Sequence, residues 1–217
     1  MIYRFFDIDS LSDEMIAKYF NLLSETKRNT IAGLKSPFER SVALSAEILA
    51  RQCLNELFDA PEFSFKLLLD PNGKSAVGNF DAGISLAVYS DMLGCAVSKN
   101  AVGMSMCGIE EYSFADLQTF LTDAELRDVF SFSRFSYTEL LQRKNIDEQK
   151  VRLRAAAYMA LKKSYYRAKG KTLNNNMLSV GFRFDNDAVC CSDLSVRVCA
   201  VGYNEKHDFV YAVTEVI

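Results

Sequence analysis

The apolar pattern of this chain changes period three times after its first helical stretch, and the order of these changes constrains the fold more than any other feature of the sequence. Helical spacing of apolar residues gives way to short strand-like runs between 63 and 106. Helical spacing returns from 114 to 130 and in a later long stretch, and strand-like runs follow from 178 to 216. Two similar halves, 1–108 and 109–217, each with helices ahead of a small antiparallel sheet, predict an α+β fold.

Local signals locate the ends of several helices. Ser36-Pro37-Phe38-Glu39 combines an N-cap serine, proline at the first helical position and glutamate at N3. Thr122 and Glu125 form a possible capping box, whereas the basic stretch around Lys27, Arg28 and Lys35 is predicted to be a polar link. The other signals are Ser10 or Ser12 before the first helix, Asp147 before a long helix, and Gly170 at the end of that helix.

Strands are predicted in each half, and a tight turn is expected at 70–73. Lys99-Asn100 is predicted to be a turn that joins the last two strands of the first half. The predicted strands are 1–8, 63–69, 84–89, 93–98, 101–106, 178–184, 188–191, 194–201 and 209–216.

Composition excludes several classes of protein. The net charge is −3, whereas a nucleic-acid binder of this size usually carries a basic surplus. No apolar stretch is long enough to span a bilayer, and the N-terminus lacks the basic and apolar regions of a signal peptide. We therefore expect a cytoplasmic protein with no membrane partner. The six cysteines form no CxxC pair and the one histidine, His207, lies in an expected loop, so reduced thiols are favoured over zinc ligands.

Four segments carry a joint pattern over nearly the whole chain, although no segment is specific alone. Their order and separations resemble those of the surfactin-synthetase type of the 4′-phosphopantetheinyl transferase family. The segments are Arg40-Ser41; Asn72-Gly73-Lys74-Ser75; Ile84-Ser85-Leu86-Ala87 with Cys95-Ala96-Val97-Ser98 and Val102-Gly103-Met104-Ser105-Met106-Cys107; and the run from Met159 to Leu173.

The resemblance implies a reaction and a ligand. Phosphopantetheine would move from coenzyme A, bound in a cleft between the halves of a monomer, to a serine of an acyl or peptidyl carrier protein. In the family, Mg²⁺ held by three carboxylates neutralises the pyrophosphate. Those positions hold Ser105, Cys107 and Lys163 here, so the Mg²⁺ expected from the family has no ligands at them. A family histidine falls at Leu86 and a tryptophan at Met159.

Other matching positions keep chemistry that suits phosphate. The resemblance implies catalytic roles for Glu125, where the family has a glutamate credited with helping to deprotonate the serine, and for Lys162. Lys163 and Arg167 lie four apart on one helix face, and an ammonium group there could replace the metal. The implied coenzyme A-binding residues are Arg40, Lys74, Ser85, Lys162, Lys163 and Arg167.

Each of these residues also has an ordinary structural interpretation. Glu125 completes a capping box, Arg40 pairs with a nearby acid, Lys74 follows a tight turn and Ser85 is a strand residue. The basic residues from 162 to 171 suit a solvated helix C-terminus. Glu110 and Glu111 are either an exposed loop pair or replacement metal ligands.

Three functions follow from these observations. The first is a divergent transferase with displaced metal ligands or a metal-free mechanism. The second is a catalytically degenerate relative that binds a carrier protein or a nucleotide as an accessory or regulator. The third is an unrelated α+β interaction protein. The missing carboxylates favour the second function over the first, and the retained cations favour ligand binding.

Overall fold

The fold is α+β, as the sequence predicts, and it consists of two compact units, Met1–Val102 and Gly103–Ile217. None of the described helices is both long and apolar enough to cross a bilayer. A computed structural model describes residues 1–69, 75–110, 112–136, 139, 148–171, 177–185 and 188–217.

The first unit holds an antiparallel five-stranded sheet in the order β1-β5-β4-β3-β2. Its core forms where α3 packs on β5, with Leu49, Cys53 and Leu54 of the helix clustered with Leu93 and Cys95 of the strand. The elements are β1 (Ile2–Asp7), α1 (Asp13–Leu22), α2 (Glu25–Ala32), α3 (Pro37–Phe58), β2 (Leu67–Leu69), β3 (Ser75–Val77), β4 (Gly83–Tyr89) and β5 (Met92–Ser98).

The helix starts of this unit follow local chemistry. The capping box of α3 is confirmed, since the Ser36 amide donates to Glu39 Oε2 at 3.2 Å. Ser12 caps α1, with its hydroxyl accepting from the Met15 amide. The predicted polar link is wrong, because residues 25–32 form α2, capped by Ser24 and anchored by an ion pair between Lys27 and Glu47 of α3.

The second unit packs its longest helix, α6, against strand β10. One of its sheets has the order β6-β10-β9, and β7 pairs with β8 in an antiparallel ribbon. The elements are β6 (Val102–Gly108), α4 (Phe114–Phe120), α5 (Asp123–Phe130), α6 (Gln149–Ala168), β7 (Phe182–Asp185), β8 (Ala188–Cys191), β9 (Val196–Asn204) and β10 (Phe209–Val216).

Strand β6 lies near its predicted position in the sequence, but it belongs to a different sheet from the one predicted. The turn at Lys99-Asn100 suggested that β6 pairs with β5, but β6 lies beside β10 and β5 lies in the five-stranded sheet. The two units divide at the start of β6, whereas the sequence division follows residue 108.

Two predicted strands are shorter than expected. Residues 63–69 form a strand only at Leu67–Leu69, and residues 178–184 only from Phe182 onward, because a 3-10 turn precedes each strand. Gly170, predicted to end the long helix, follows α6 with a φ of 62°. Asp147 and the turn expected at 70–73 lie outside the described residues.

Candidate functional site

Strand β6 lies directly on helix α6, and Gly103 makes this approach possible. A Cβ atom at Gly103 would lie 1.9 Å from the Ser164 carbonyl oxygen and 2.5 Å from the Ala168 amide nitrogen. Only glycine fits at such a distance from another backbone. The Val-Gly pair that contributes to the family resemblance therefore has a packing reason within the second unit.

This close packing brings together Ser105, Cys107 and Lys163, the three positions at which the resemblance expects carboxylates. Ser105 and Cys107 are two residues apart on β6 and therefore share a face, with Ser105 Oγ 3.8 Å from Cys107 Sγ. The Lys163 ammonium of α6 lies beside the Cys107 thiol and opposes the rise of its pKa. One turn further along α6, Arg167 Nη1 donates to the Met104 carbonyl of β6 at 2.6 Å.

The electrostatic character of this cluster is cationic. Burial raises the pKa of the Cys107 thiol, and Lys163 and Ser105 only partly counter this rise, so the thiol is neutral at pH 7. Ser105 and Cys107 are buried, Lys163 is half-buried and Arg167 is exposed. Two cations at the surface above a neutral hydroxyl and thiol suit an anion such as phosphate and repel a divalent metal ion.

The predicted catalytic residues Glu125 and Lys162 also meet, but inside the second unit. Lys162 Nζ lies 2.8 Å from Glu125 Oε2, and the two side chains are 0% and 1% exposed. The ammonium also donates to the carbonyl oxygens of Met177 and Val180, each at 2.8 Å, so all three of its donors are used. Burial lowers the pKa of Lys162, and the Glu125 carboxylate opposes this shift.

Both carboxylate oxygens of Glu125 also have hydrogen-bond partners. Its Oε2 accepts from the Thr122 amide at 2.7 Å, and its Oε1 accepts from the Phe182 amide at 2.8 Å. The Thr122–Glu125 capping box is therefore confirmed. This pair joins α5, α6 and β7 in the core, and its geometry supports a structural role, while the catalytic role of both residues stays a prediction.

The remaining predicted ligand-binding residues that the structure describes lie in the first unit. Arg40 Nη1 donates to the Leu34 carbonyl at 2.7 Å and so ties the start of α3 to the preceding loop. Ser85 is buried in β4, 6% exposed. Lys74 lies outside the described residues. Leu86 and Met159, where the resemblance expects a histidine and a tryptophan, pack against the hydrophobic core of their own units.

Among the residues that the structure describes, no geometry supports Glu110 as a replacement metal ligand. Glu110 follows β6, and its carbonyl accepts from Arg152 Nε at 3.2 Å, while Glu111 lies outside the described residues. Within the described ranges, the one group of three potential ligands is Asp7, Asp9 and Asp91, in the first unit. The sequence does not indicate this group, because Asp91 joins it only through the pairing of β1 with β5. Asp7 already accepts from the Asp9 amide, so the cluster has a local structural role.

In comparisons with known proteins, no protein-family model matches the chain, and no curated protein matches it significantly. The resemblance to phosphopantetheinyl transferases thus rests on the quoted residues and stays a prediction.

Proposed function

We propose that this chain is a catalytically degenerate relative of the 4′-phosphopantetheinyl transferases that binds the pyrophosphate of coenzyme A, or of a similar nucleotide, without Mg²⁺. One observation carries the proposal. Ser105, Cys107 and Lys163, which stand where the family has its metal ligands, lie together beside Arg167. An ammonium and a guanidinium would provide the positive charge that the metal provides in the family.

The position of Lys163 favours a ligand over a purely local role. Arg167 lies in the last turn of α6, where the helix dipole alone would favour a cation. Lys163 lies more than one turn from that end, beyond the range of this effect, and next to a neutral thiol. Because a thiol is only a weak acceptor, Lys163 would lose little on turning to a phosphate oxygen.

Binding without transfer fits the site better than catalysis. Transfer to a carrier protein needs a group that takes the proton of the carrier serine. The resemblance gives this role to Glu125, but its carboxylate is 1% exposed and bonded to two backbone amides and Lys162. A transferase would have to open this core pair in each cycle. We therefore rank an accessory or regulatory function above transfer to an acyl or peptidyl carrier protein.

Calorimetric titration with coenzyme A tests the proposal, once with Mg²⁺ and once with EDTA. We expect the same affinity in both buffers, and a loss of about tenfold or more for Lys163→Glu and for Arg167→Glu, because each removes a charge-assisted hydrogen bond. Lys99→Glu is the matched control, since Lys99 is an exposed lysine in the first unit, and it should bind like the wild type.

Three results would contradict this function. Affinity that rises with Mg²⁺ would reveal a metal site, and equal affinity of both charge-reversed variants and wild type would remove the cations from the site. Incubation with Mg²⁺, coenzyme A and an apo carrier protein, followed by intact mass measurement, addresses transfer directly. A mass increase of one phosphopantetheine on the carrier would establish an active transferase.

A further inference from the structure

A groove of about 440 Å³ in the second unit lies outside the proposed anion site and is lined by ten residues. One wall is the N-terminal half of α6, where Lys150, Leu153, Arg154 and Ala157 recur at helical spacing and so share one face. Strands β9 and β10 contribute to the lining through Val201 and Val210 among others. The groove therefore follows α6 for about two turns.

Apolar side chains make up most of the surface of this groove. Two aromatic residues of the lining are more than one-third exposed, Phe132 at 42% and Tyr203 at 38%. Aromatic rings left in water gain from covering by an apolar ligand. An apolar cleft with a few fixed polar groups is the usual form of a small-molecule site.

The charged residues of the lining are both cations, Lys150 and Arg154, and no acid is among the ten. Arg154 is held in place, with its guanidinium carbon 3.7 Å from the ring centroid of Phe184 and its Nε 2.8 Å from Asp128 Oδ2. Asp128 thus offsets the charge of Arg154. Lys150 is exposed and, within the described part of the chain, has no hydrogen bond or ion pair.

Two acids near the rim already accept hydrogen bonds, while Glu205, also close to Tyr203, is exposed. Glu148 accepts from the Ser133 hydroxyl and from the Arg134 amide, and Asp208 accepts from the Tyr203 hydroxyl at 2.8 Å. The amides of the first turn of α6 add partial positive charge beside Lys150, and no acidic side chain follows in that turn. An anion next to Lys150 would be attracted both by the ammonium group of Lys150 and by the backbone amides of the first turn of α6.

We propose that this groove binds a small amphiphilic anion, with a medium-length hydrocarbon body on the apolar walls and a carboxylate beside Lys150. The volume lies within the range of small-ligand sites, roughly 300–1,000 Å³. The wall from Lys150 to Ala157 rises about 10 Å, close to the length of such a hydrocarbon body. A protein partner would need a larger surface, since stable interfaces use about 20–30 residues on each side.

Decanoate, kept below its micelle concentration, is the probe for this site. Calorimetry should give saturable 1:1 binding that is at least about fivefold tighter than binding of decanol, because only the carboxylate pairs with Lys150. Methyl-labelled NMR spectra should show shifts at Leu153, Val201 and Val210, and none at the exposed Leu22 of the first unit.

Two variants test the walls against matched controls. Lys150→Glu should weaken decanoate binding about fivefold or more, and Phe132→Ala about threefold or more, whereas Lys99→Glu and Phe38→Ala should not. All four side chains are exposed, so folding should be unaffected. Equal binding of decanol, shifts outside the groove, or no effect of either groove variant would overturn the proposal. A further result would also overturn it. If decanoate does not bind, and sedimentation equilibrium shows a dimer that Phe132→Ala weakens, the groove is an interface with a second copy of the chain.

Discussion

Replacing Lys162 with methionine tests whether the buried pair with Glu125 holds the second unit together. The substitution removes an ion pair of 2.8 Å between side chains that are 0% and 1% exposed, and it removes two charged hydrogen bonds to backbone carbonyls. Loss of one partner of a buried pair costs about 3–5 kcal/mol, because the other charge stays in the core. We expect urea unfolding, followed by far-UV circular dichroism, to show a loss of that size.

A double-mutant cycle separates the pair from its surroundings. Glu125→Leu should lower the free energy of unfolding by a similar amount. The loss in the double variant should be smaller than the sum of the two single losses by about 2 kcal/mol or more, because the attraction between the two charges is lost only once. Arg183→Met is the matched control: Arg183 pairs with Asp185 at 3.3 Å, but both side chains are more than half exposed, so its urea midpoint should not move. Single losses below about 1 kcal/mol, or a coupling near zero, would show that the pair does not stabilise the core.

Three further predictions concern the packing of Gly103, the titration of Tyr165 and the accessibility of the cysteines. Gly103→Ala should lower the free energy of unfolding by about 2 kcal/mol or more, since its Cβ would overlap the backbone of α6, whereas Gly181→Ala, with its nearest neighbour at 3.9 Å, should change little in the same urea assay. Burial, with a hydrogen bond to Asp193, raises the pKa of Tyr165 to about 12, so an ultraviolet titration should lose one late-titrating tyrosine in Tyr165→Phe. The native state holds that proton more tightly, and the wild type should therefore lose stability relative to Tyr165→Phe between pH 10 and about 12. A thiol reagent should label exposed Cys190 first and leave Cys53 and Cys95, both 0% exposed, until the protein unfolds. Cys191 and Cys199 are partly exposed and should react in between, so peptide mass mapping must identify the labelled residue; rapid labelling of Cys53 or Cys95 in the native protein would contradict this order.

Helix ends were predictable because their chemistry is local. Each capping motif spans only four residues: the serine, proline and glutamate at the start of α3, and the Thr122–Glu125 box at the start of α5. The sequence therefore contains the whole interaction in each case. The sequence does not predict helix α2, because this helix has almost no apolar stripe and buries only Ile31. Lys27 of α2 pairs with Glu47 of α3, and the sequence around residue 27 does not indicate this partner.

The sheet assignment of β6 and the setting of the site residues depend on distant parts of the chain. A turn at Lys99-Asn100 favours a hairpin, but the strand beside β6 is β10, about a hundred residues later. The sequence offered capping and catalysis as alternatives for Glu125 without indicating that the same carboxylate also receives Lys162. Such contacts require the packing of α5, α6 and β7, which periodicity does not specify.

Lys162 and Lys163 show how adjacent residues of one helix serve different needs. Successive side chains on a helix point about 100° apart, so Lys162 enters the core toward Glu125 while Lys163 lies beside Cys107 of β6. The first charge is fully paired within the protein. The second stands four residues from Arg167, and like charges at that spacing repel. An anion between them would relieve this repulsion, whereas a metal ion would add to it. Under the proposed function, a lysine at the position where the resemblance expects a carboxylate makes the site favour an anion over a cation.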